Sequence, residues 1–289
     1  AQSNLGYLYE VGQGVVADDK EAVRWYRMSA ENGDAAGQNG LGYMLRHGRG
    51  VAKDEAASVN WFRKSAEQGN SAGQTNLGYA YDLGVGIQRD QAQAAHWYQK
   101  AADQRNDMAL NNLGDLYRFG KGVPRDKAKA AELFKAAIEL GNTHAQVNLG
   151  NMNRYAEGMP KDEREAARLY RLAAGKGHSG GQKQLADLLL KGTGVDRNMS
   201  EAIRLYRLAV DQGNTAAMNN LGYQYELGEG VPQDHVEAVR LYRMAYERGD
   251  KWAGANLGEM MAYGRGTPRN MAEAVRLNRL ALEEDLSLA

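Results

Sequence analysis

The chain has 289 residues, no cysteine, and 36 Lys plus Arg against 36 Asp plus Glu. The missing cysteines exclude disulfides, thiolate metal sites and cysteine nucleophiles. Charge balances in each half, with 17 of each sign in residues 1–150 and 19 of each in residues 151–289, so there is no electrostatic footprint for nucleic acid or an acidic membrane surface.

No apolar run approaches the roughly 18 residues that cross a bilayer, so no membrane insertion is expected. The N-terminus shows none of the segments of a signal peptide. In chain order the first landmark is Leu5-Gly6, which returns at Leu41-Gly42, Leu77-Gly78, Leu113-Gly114, Leu149-Gly150, Leu221-Gly222 and Leu257-Gly258, with Leu185-Ala186 in the one gap. The step is 36 residues throughout. Gly-x-Gly follows at the same step, from Gly12/Gly14 to Gly264/Gly266, broken only where Ala156 precedes Gly158. Pro124, Pro160, Pro232 and Pro268 share one register. Independent landmarks on one period mark an internal repeat.

Within a unit the apolar spacing of Leu41, Met44 and Leu45 predicts a first helix, helix A, which Gly48 and Gly50 interrupt. Helix B is expected to start at an N-cap: Asp18, Asp54, Asp90, Asp126, Asp162, Asn198, Asp234 and Asn270. Three residues on, Glu21, Gln93, Glu165, Glu201, Glu237 and Glu273 predict a reciprocal capping box in six units. Helix B closes at Gly33, Gly69, Gly141, Gly177, Gly213 and Gly249, each except Gly177 followed by an Asn or Asp that can cap the next helix A. The units run approximately 1–33, 34–69, 70–105, 106–141, 142–177, 178–213, 214–249 and 250–289. Leu5, Tyr9, Val15, Ala22, Trp25, Tyr26 and Ala30, with their equivalents, form the expected core. One such set cannot stabilise a unit alone, so neighbours must share apolar faces. Gly6 and its equivalents are expected to let the two helices approach closely. Departures fall at Arg105, which replaces a turn glycine, and at Asn153 and Ala156 in the fifth unit, where a local change of superhelical pitch is expected.

These landmarks resemble the Sel1-like repeat; the third unit carries Leu77, Gly78, Tyr81, Gly84, Gly86, Asp90, Ala94, Trp97, Tyr98, Ala101 and Ala102 in its pattern. The resemblance implies an all-α, right-handed α/α superhelical solenoid of eight 36-residue helix-turn-helix repeats, related to tetratricopeptide repeats, with helix A lining a concave groove. It implies an adaptor or scaffold that binds a protein or peptide in that groove, and favours a bacterial periplasmic or exported location. The expectation is one solenoid over residues 1–289, cut from a longer protein, because terminal repeats usually carry polar caps.

Two registers offer a binding surface. Asn4, Asn76, Asn112, Asn148, Asn220 and Asn256 precede the Leu-Gly pair; similar tetratricopeptide grooves use such asparagines to hold a peptide backbone, the alternative being that they brace adjacent helices. One residue past the pair stand Tyr7, Tyr43, Tyr79 and Tyr223, against Asp115, Asn151, Asp187 and Glu259 elsewhere, which predicts one aromatic and one more polar region. Arg46, Arg118, Phe119, Arg154, Tyr155 and Tyr263 add residue types common at binding hot spots. Aromatic and amide groups also suit sugars, so a glycan or cell-envelope ligand is the alternative partner.

On helix B, Arg168, Arg171, Arg204, Arg207, Arg240, Arg243, Arg276 and Arg279 form a stripe. It is read either as a grip for an acidic partner or, preferably, as a solvated face paired with Glu165, Glu201, Glu237 and Glu273. His47, His96, His144, His178 and His235 occupy five registers without ligand spacing. Gly-x-Gly follows helices rather than strands and lacks the phosphate-loop lysine. No catalytic residue, metal or cofactor is expected, and the chain reads as a binding scaffold rather than an enzyme.

Overall fold

The computed structural model describes residues 1–285, with side chains through residue 281. Among the described residues it holds sixteen α-helices and no strand, and no helix long and apolar enough to cross a membrane. The chain divides into two compact units, the first ending at Ala145 and the second beginning at Gln146.

In the first unit α1 (Gln2–Val11) pairs with α2 (Asp19–Glu31), and α3 (Ala35–His47) with α4 (Glu55–Glu67). Then α5 (Ser71–Leu83) pairs with α6 (Gln91–Asp103), and α7 (Asp107–Phe119) with α8 (Lys127–Glu139). Most of α9 (Thr143–Arg154) belongs to the second unit, which continues with α10 (Glu163–Gly175), α11 (Ser179–Lys191) and α12 (Met199–Asp211). It closes with α13 (Thr215–Leu227), α14 (His235–Glu247), α15 (Lys251–Tyr263) and α16 (Met271–Asp285). Odd-numbered helices are helices A and even-numbered ones helices B, and successive helices pack on one another inside each unit.

Each helix B starts at its expected cap. The side chains of Asp18, Asp54, Asp90, Asp126, Asp162, Asn198 and Asp234 accept amides two or three residues on, and Asn270 accepts the Glu273 amide at 3.1 Å. The reciprocal half of the capping box does not form. The N-cap amide is already donated back to helix A, as from Asp18 to the Tyr9 carbonyl at 3.0 Å and from Asp162 to that of Asn153 at 2.9 Å. With that amide engaged, Glu165, Glu201, Glu237 and Glu273 turn to the arginine three residues on, at 2.6–2.7 Å.

Helix A ends on a left-handed residue, glycine in most repeats and Ala156 (φ 55°) in the fifth. Arg105 likewise holds φ 59° where the other turns have glycine. Neither departure changes the local hydrogen bonding: Glu157 N–H still meets the Met152 carbonyl at 2.9 Å, as Arg49 N–H meets that of Met44 at 3.1 Å. The loop of the fifth repeat therefore keeps the hydrogen bond of the others. After Gly177, where neither Asn nor Asp follows, His178 caps α11 by accepting the Gly181 amide on Nδ1 at 3.1 Å. This needs the unprotonated nitrogen.

The second glycine of Gly-x-Gly stops no helix; it touches the preceding repeat. A Cβ on Gly50, Gly86, Gly122, Gly194 or Gly266 would overlap the backbone at Asp19, Glu55, Gln91, Glu163 or His235, the start of the previous helix B. Only a glycine fits that contact.

In the core, the glycine of Leu-Gly makes room for a helix B ring, and at Gly42, Gly222 and Gly258 a Cβ would also lie 3.1–3.4 Å from a helix B carbonyl, the close helix approach that was expected. A Cβ on Gly6 or Gly78 would lie 2.7 Å from the Tyr26 or Tyr98 ring, and one on Gly150 2.6 Å from that of Tyr170. The ring at this register is buried from Tyr26 through Phe62, Tyr98, Phe134, Tyr170 and Tyr206 to Tyr242. The preceding Trp25, Trp61 and Trp97 are only half-buried, covered by the cations of Arg24, Lys64 and Lys100 at 5.5, 4.2 and 4.7 Å. Leu5, Tyr9 and Val15 of the first repeat are also half-buried, but the register of Leu5 is buried at Leu41, Leu77, Leu113, Leu149, Leu185, Leu221 and Leu257. The core is therefore that leucine, the ring that faces the glycine and the alanines around it, with the tryptophan at its edge.

Candidate functional site

In each unit the helix A face carries polar side chains whose floor is the hydroxyl edge of the helix B tyrosines. In the first unit a cleft of about 300 Å³ opens between α1 and α3, lined by Asn4, Tyr7, Glu10, Tyr26, Asn39 and Tyr43 among others. Tyr26 donates to Glu10 at 2.7 Å. Arg49, from the loop of the next repeat, reaches Glu10 at 2.8 Å and Asp19 at 2.6 Å. These bonds and burial act on ionisation: burial first, then the Glu10 bond, pushes the Tyr26 hydroxyl well above its usual range, and the Asp19 bond raises Arg49.

Tyr7 is 54 % exposed. Tyr43 and Tyr79 are half-buried, Tyr43 packed at a tilt against His47 with ring centres 4.4 Å apart and Tyr79 under the Arg46 guanidinium at 4.0 Å. Asn76 donates to Asn39 at 2.9 Å, and Asn112 accepts from Asn111 at 3.2 Å. Arg118 is buried, with its guanidinium 4.9 Å from the Phe119 ring centre.

In the second unit the centre of the face is Asp187. Its Oδ1 accepts from the Tyr206 hydroxyl at 2.7 Å and from Asn220 at 3.0 Å. Its Oδ2 pairs with Lys183 at 2.9 Å and lies 3.9 Å from Arg154. Arg154 also donates to Gln184 at 2.9 Å, and the Tyr170 hydroxyl donates to Asn151 at 2.7 Å. Beside this network a cleft of about 480 Å³ is lined by Asn219, Asn220, Tyr223, Gln224 and Asn256, with Leu190, Lys191 and Glu229 at its edge. Asn256 donates to Asn219 at 2.8 Å. Tyr223 is 49 % exposed, and Tyr155 is also exposed, 5.2 Å from the Arg154 guanidinium.

The predicted residues are thus gathered in part. Tyr7 and Tyr43 share one cleft, and Asn220, Tyr223 and Asn256 another. Tyr79, Asn76, Asn112 and Arg118 lie on helices of the first unit, and in the second Asn148 and Arg154 lie on α9 and Tyr155 in the turn after it. Asn76, Asn220 and Asn256 each hold a neighbouring helix A through the side-chain amide, and in Asn76 and Asn256 that bond uses one of two N–H groups.

On helix B, one arginine of each pair is clamped: Arg168, Arg204, Arg240 and Arg276 make two-pronged bonds to Glu165, Glu201, Glu237 and Glu273. The Arg204 bond also holds the Glu201 carboxyl below its usual range.

Two polar features were not read from the sequence. Gln68, Gln104 and Gln212 donate to Gln38, Gln74 and Gln182 at 2.7, 2.8 and 2.9 Å, and Asn32 to Gln2 at 3.0 Å; a separation of 30 residues with matched amides was the available signal. The second is the place of Asp187 as acceptor for two helices. Among the described residues no cluster of three or more His, Asp or Glu side chains is placed to hold a metal.

A family profile described as Sel1 repeat matches the chain at residues 1–34, 35–70, 71–106, 107–142, 143–178, 179–214, 215–250 and 255–285. The structure of a Sel1 repeat protein from Oxalobacter formigenes is 29 % identical, covers 84 % of this chain and 96 % of its own, and superposes with a TM-score of 0.75. That of c5321, described as a protective antigen present in uropathogenic Escherichia coli strains and displaying an SLR fold, is 33 % identical over 99 % of this chain and 69 % of its own, with a TM-score of 0.56. Yeast Tom70, 15 % identical with a TM-score of 0.55 over 100 % of this chain and 65 % of its own, is a likeness of fold alone. No curated protein matches the sequence.

Proposed function

The chain belongs to the Sel1 repeat family, and on that premise we propose that it is a peptide-binding scaffold whose ligand lies along the helix A face. Repeats of this kind are generally non-enzymatic scaffolds for protein interaction. The observation that carries the reading is the pairing, in each unit, of a half-exposed tyrosine with amide groups already fixed by hydrogen bonds between helices: Tyr7 beside Asn39, and Tyr223 beside Asn219, Asn220 and Asn256. Tyrosine offers a large contact for little side-chain entropy, and oriented amides lose less on binding than mobile ones. An extended backbone, with one donor and one acceptor per residue, matches such a row.

Selection of a displayed random-peptide library on the chain tests this. The wild type is expected to enrich peptides, and Tyr7→Ala or Tyr223→Ala to weaken those bound at its cleft about tenfold, the loss expected of an anchoring aromatic. Both side chains are about half exposed, so the fold survives their removal. Unchanged affinity in both variants contradicts the assignment, and saturable binding of an oligosaccharide or muropeptide with no peptide enriched would replace the peptide by a glycan.

A further inference from the structure

The cleft beside Tyr223 contains a side chain that its register does not explain. Gln224 occupies a position that other repeats fill with an apolar residue, as at Met44, Leu116, Leu188 and Met260, all buried. It is only 5 % exposed and lines the cleft, yet its Oε1 is buried with no hydrogen-bond partner among the described residues. A desolvated, unpaired amide destabilises a fold, and an aliphatic side chain in its place would not. The surrounding polar groups are engaged with one another: Asp187 with Tyr206, Asn220 and Lys183, and Asn256 with Asn219. At the rim Lys191 and Glu229 contribute one charge of each sign, while Lys183 and Arg154 offset Asp187.

We propose that this cleft, between α11, α13 and α15, receives the carboxamide side chain of an asparagine or glutamine of the bound peptide and pairs it with Gln224; the proposal rests on the peptide-binding reading above. The chemistry selects a carboxamide over other donors. Rotating the Gln224 amide by 180° exchanges Oε1 and Nε2, and a carboxamide, with its own acceptor and donors, matches either orientation. A hydroxyl donates and accepts at one atom and so meets only one end of the Gln224 amide, whereas a carboxamide presents donor and acceptor side by side; an ammonium would bring a charge that the balanced cleft does not offset. The same amide-to-amide contact already joins Gln68 to Gln38 and Gln212 to Gln182 inside this protein.

The test applies the library selection to wild type and to Gln224→Met, with the thermal midpoint of both chains measured in parallel. Wild type is expected to enrich peptides with Asn or Gln at one fixed position. Gln224→Met should bind these about tenfold more weakly, the effect of one unpaired amide, with a thermal midpoint equal to or above that of wild type. Peptides without Asn or Gln enrichment that lose affinity on Tyr223→Ala overturn the carboxamide assignment and leave peptide binding standing. Equal binding by Gln224→Met overturns it too, and a lowered midpoint with unchanged binding marks Gln224 as structural. If wild type enriches no peptide, the underlying reading fails, and this proposal with it.

Discussion

Ala156 holds a left-handed backbone, φ 55°, at the place where Gly12, Gly48 and Gly84 hold 71°, 67° and 74°. The Cβ of an L-residue is strained there, and glycine is not. Ala156→Gly should therefore stabilise the fold by about 0.5–1 kcal/mol, the strain relieved exceeding the entropy that glycine adds to the unfolded chain. A denaturant midpoint that rises agrees with this, and one that falls shows the alanine to be unstrained. The substitution was legible in the sequence, because a repeat displays every departure against its register; its consequence was not, because neighbouring hydrogen bonds hold the backbone in place. Glu165 and Gln224 follow the same pattern. The sequence places Glu165 where a capping box would need it, but the Asp162 amide is already given to Asn153. Gln224 reads as polar in an apolar register, and only the packing leaves its oxygen unpaired.

At the level of elements, the two helices of a repeat meet where a helix B ring rests on a helix A glycine, and the tyrosine hydroxyl reaches the polar face on the far side. Tyr206 and Tyr242 are driven upward in pKa first by burial and then by the nearby carboxylates of Asp187 and Glu226; for Tyr98 and Tyr170 burial is again the largest cause. An unfolded tyrosine ionises near pH 10. These groups bind their proton more tightly when folded, so the stability they contribute is complete below pH 10 and declines as the pH rises towards the raised values. Alkaline titration should show a second rise in tyrosinate absorbance coincident with loss of helical circular dichroism, after the exposed tyrosines have ionised. Ionisation of all sixteen tyrosines with full helicity would contradict it. Helix number, caps and stops were legible because each has a local chemical signal. The choice between Trp25 and Tyr26 as the buried ring was not, since adjacent aromatics fit the apolar face equally well and packing against Gly6 decides.

Inside each unit, coupling between repeats is local: Gly50, Gly86, Gly122, Gly194 and Gly266 meet the preceding helix B, and amides 30 residues apart join successive repeats. The repeat architecture was legible in full from period and landmarks, whereas the division into compact units at residue 145 was not, because no landmark of the period changes there. Both clefts lie on helix A faces, one in each unit, and the clamped arginines lie on helix B. On the proposed reading, it is helix A that binds the ligand. The most direct test of that reading is to titrate isotope-labelled protein with a selected peptide and follow the backbone amide shifts. Binding along helix A places the shifts around Tyr7 and Tyr43, or around Tyr223 and Asn256; shifts clustered around Arg171, Arg207 and Arg243 would place the ligand on helix B instead.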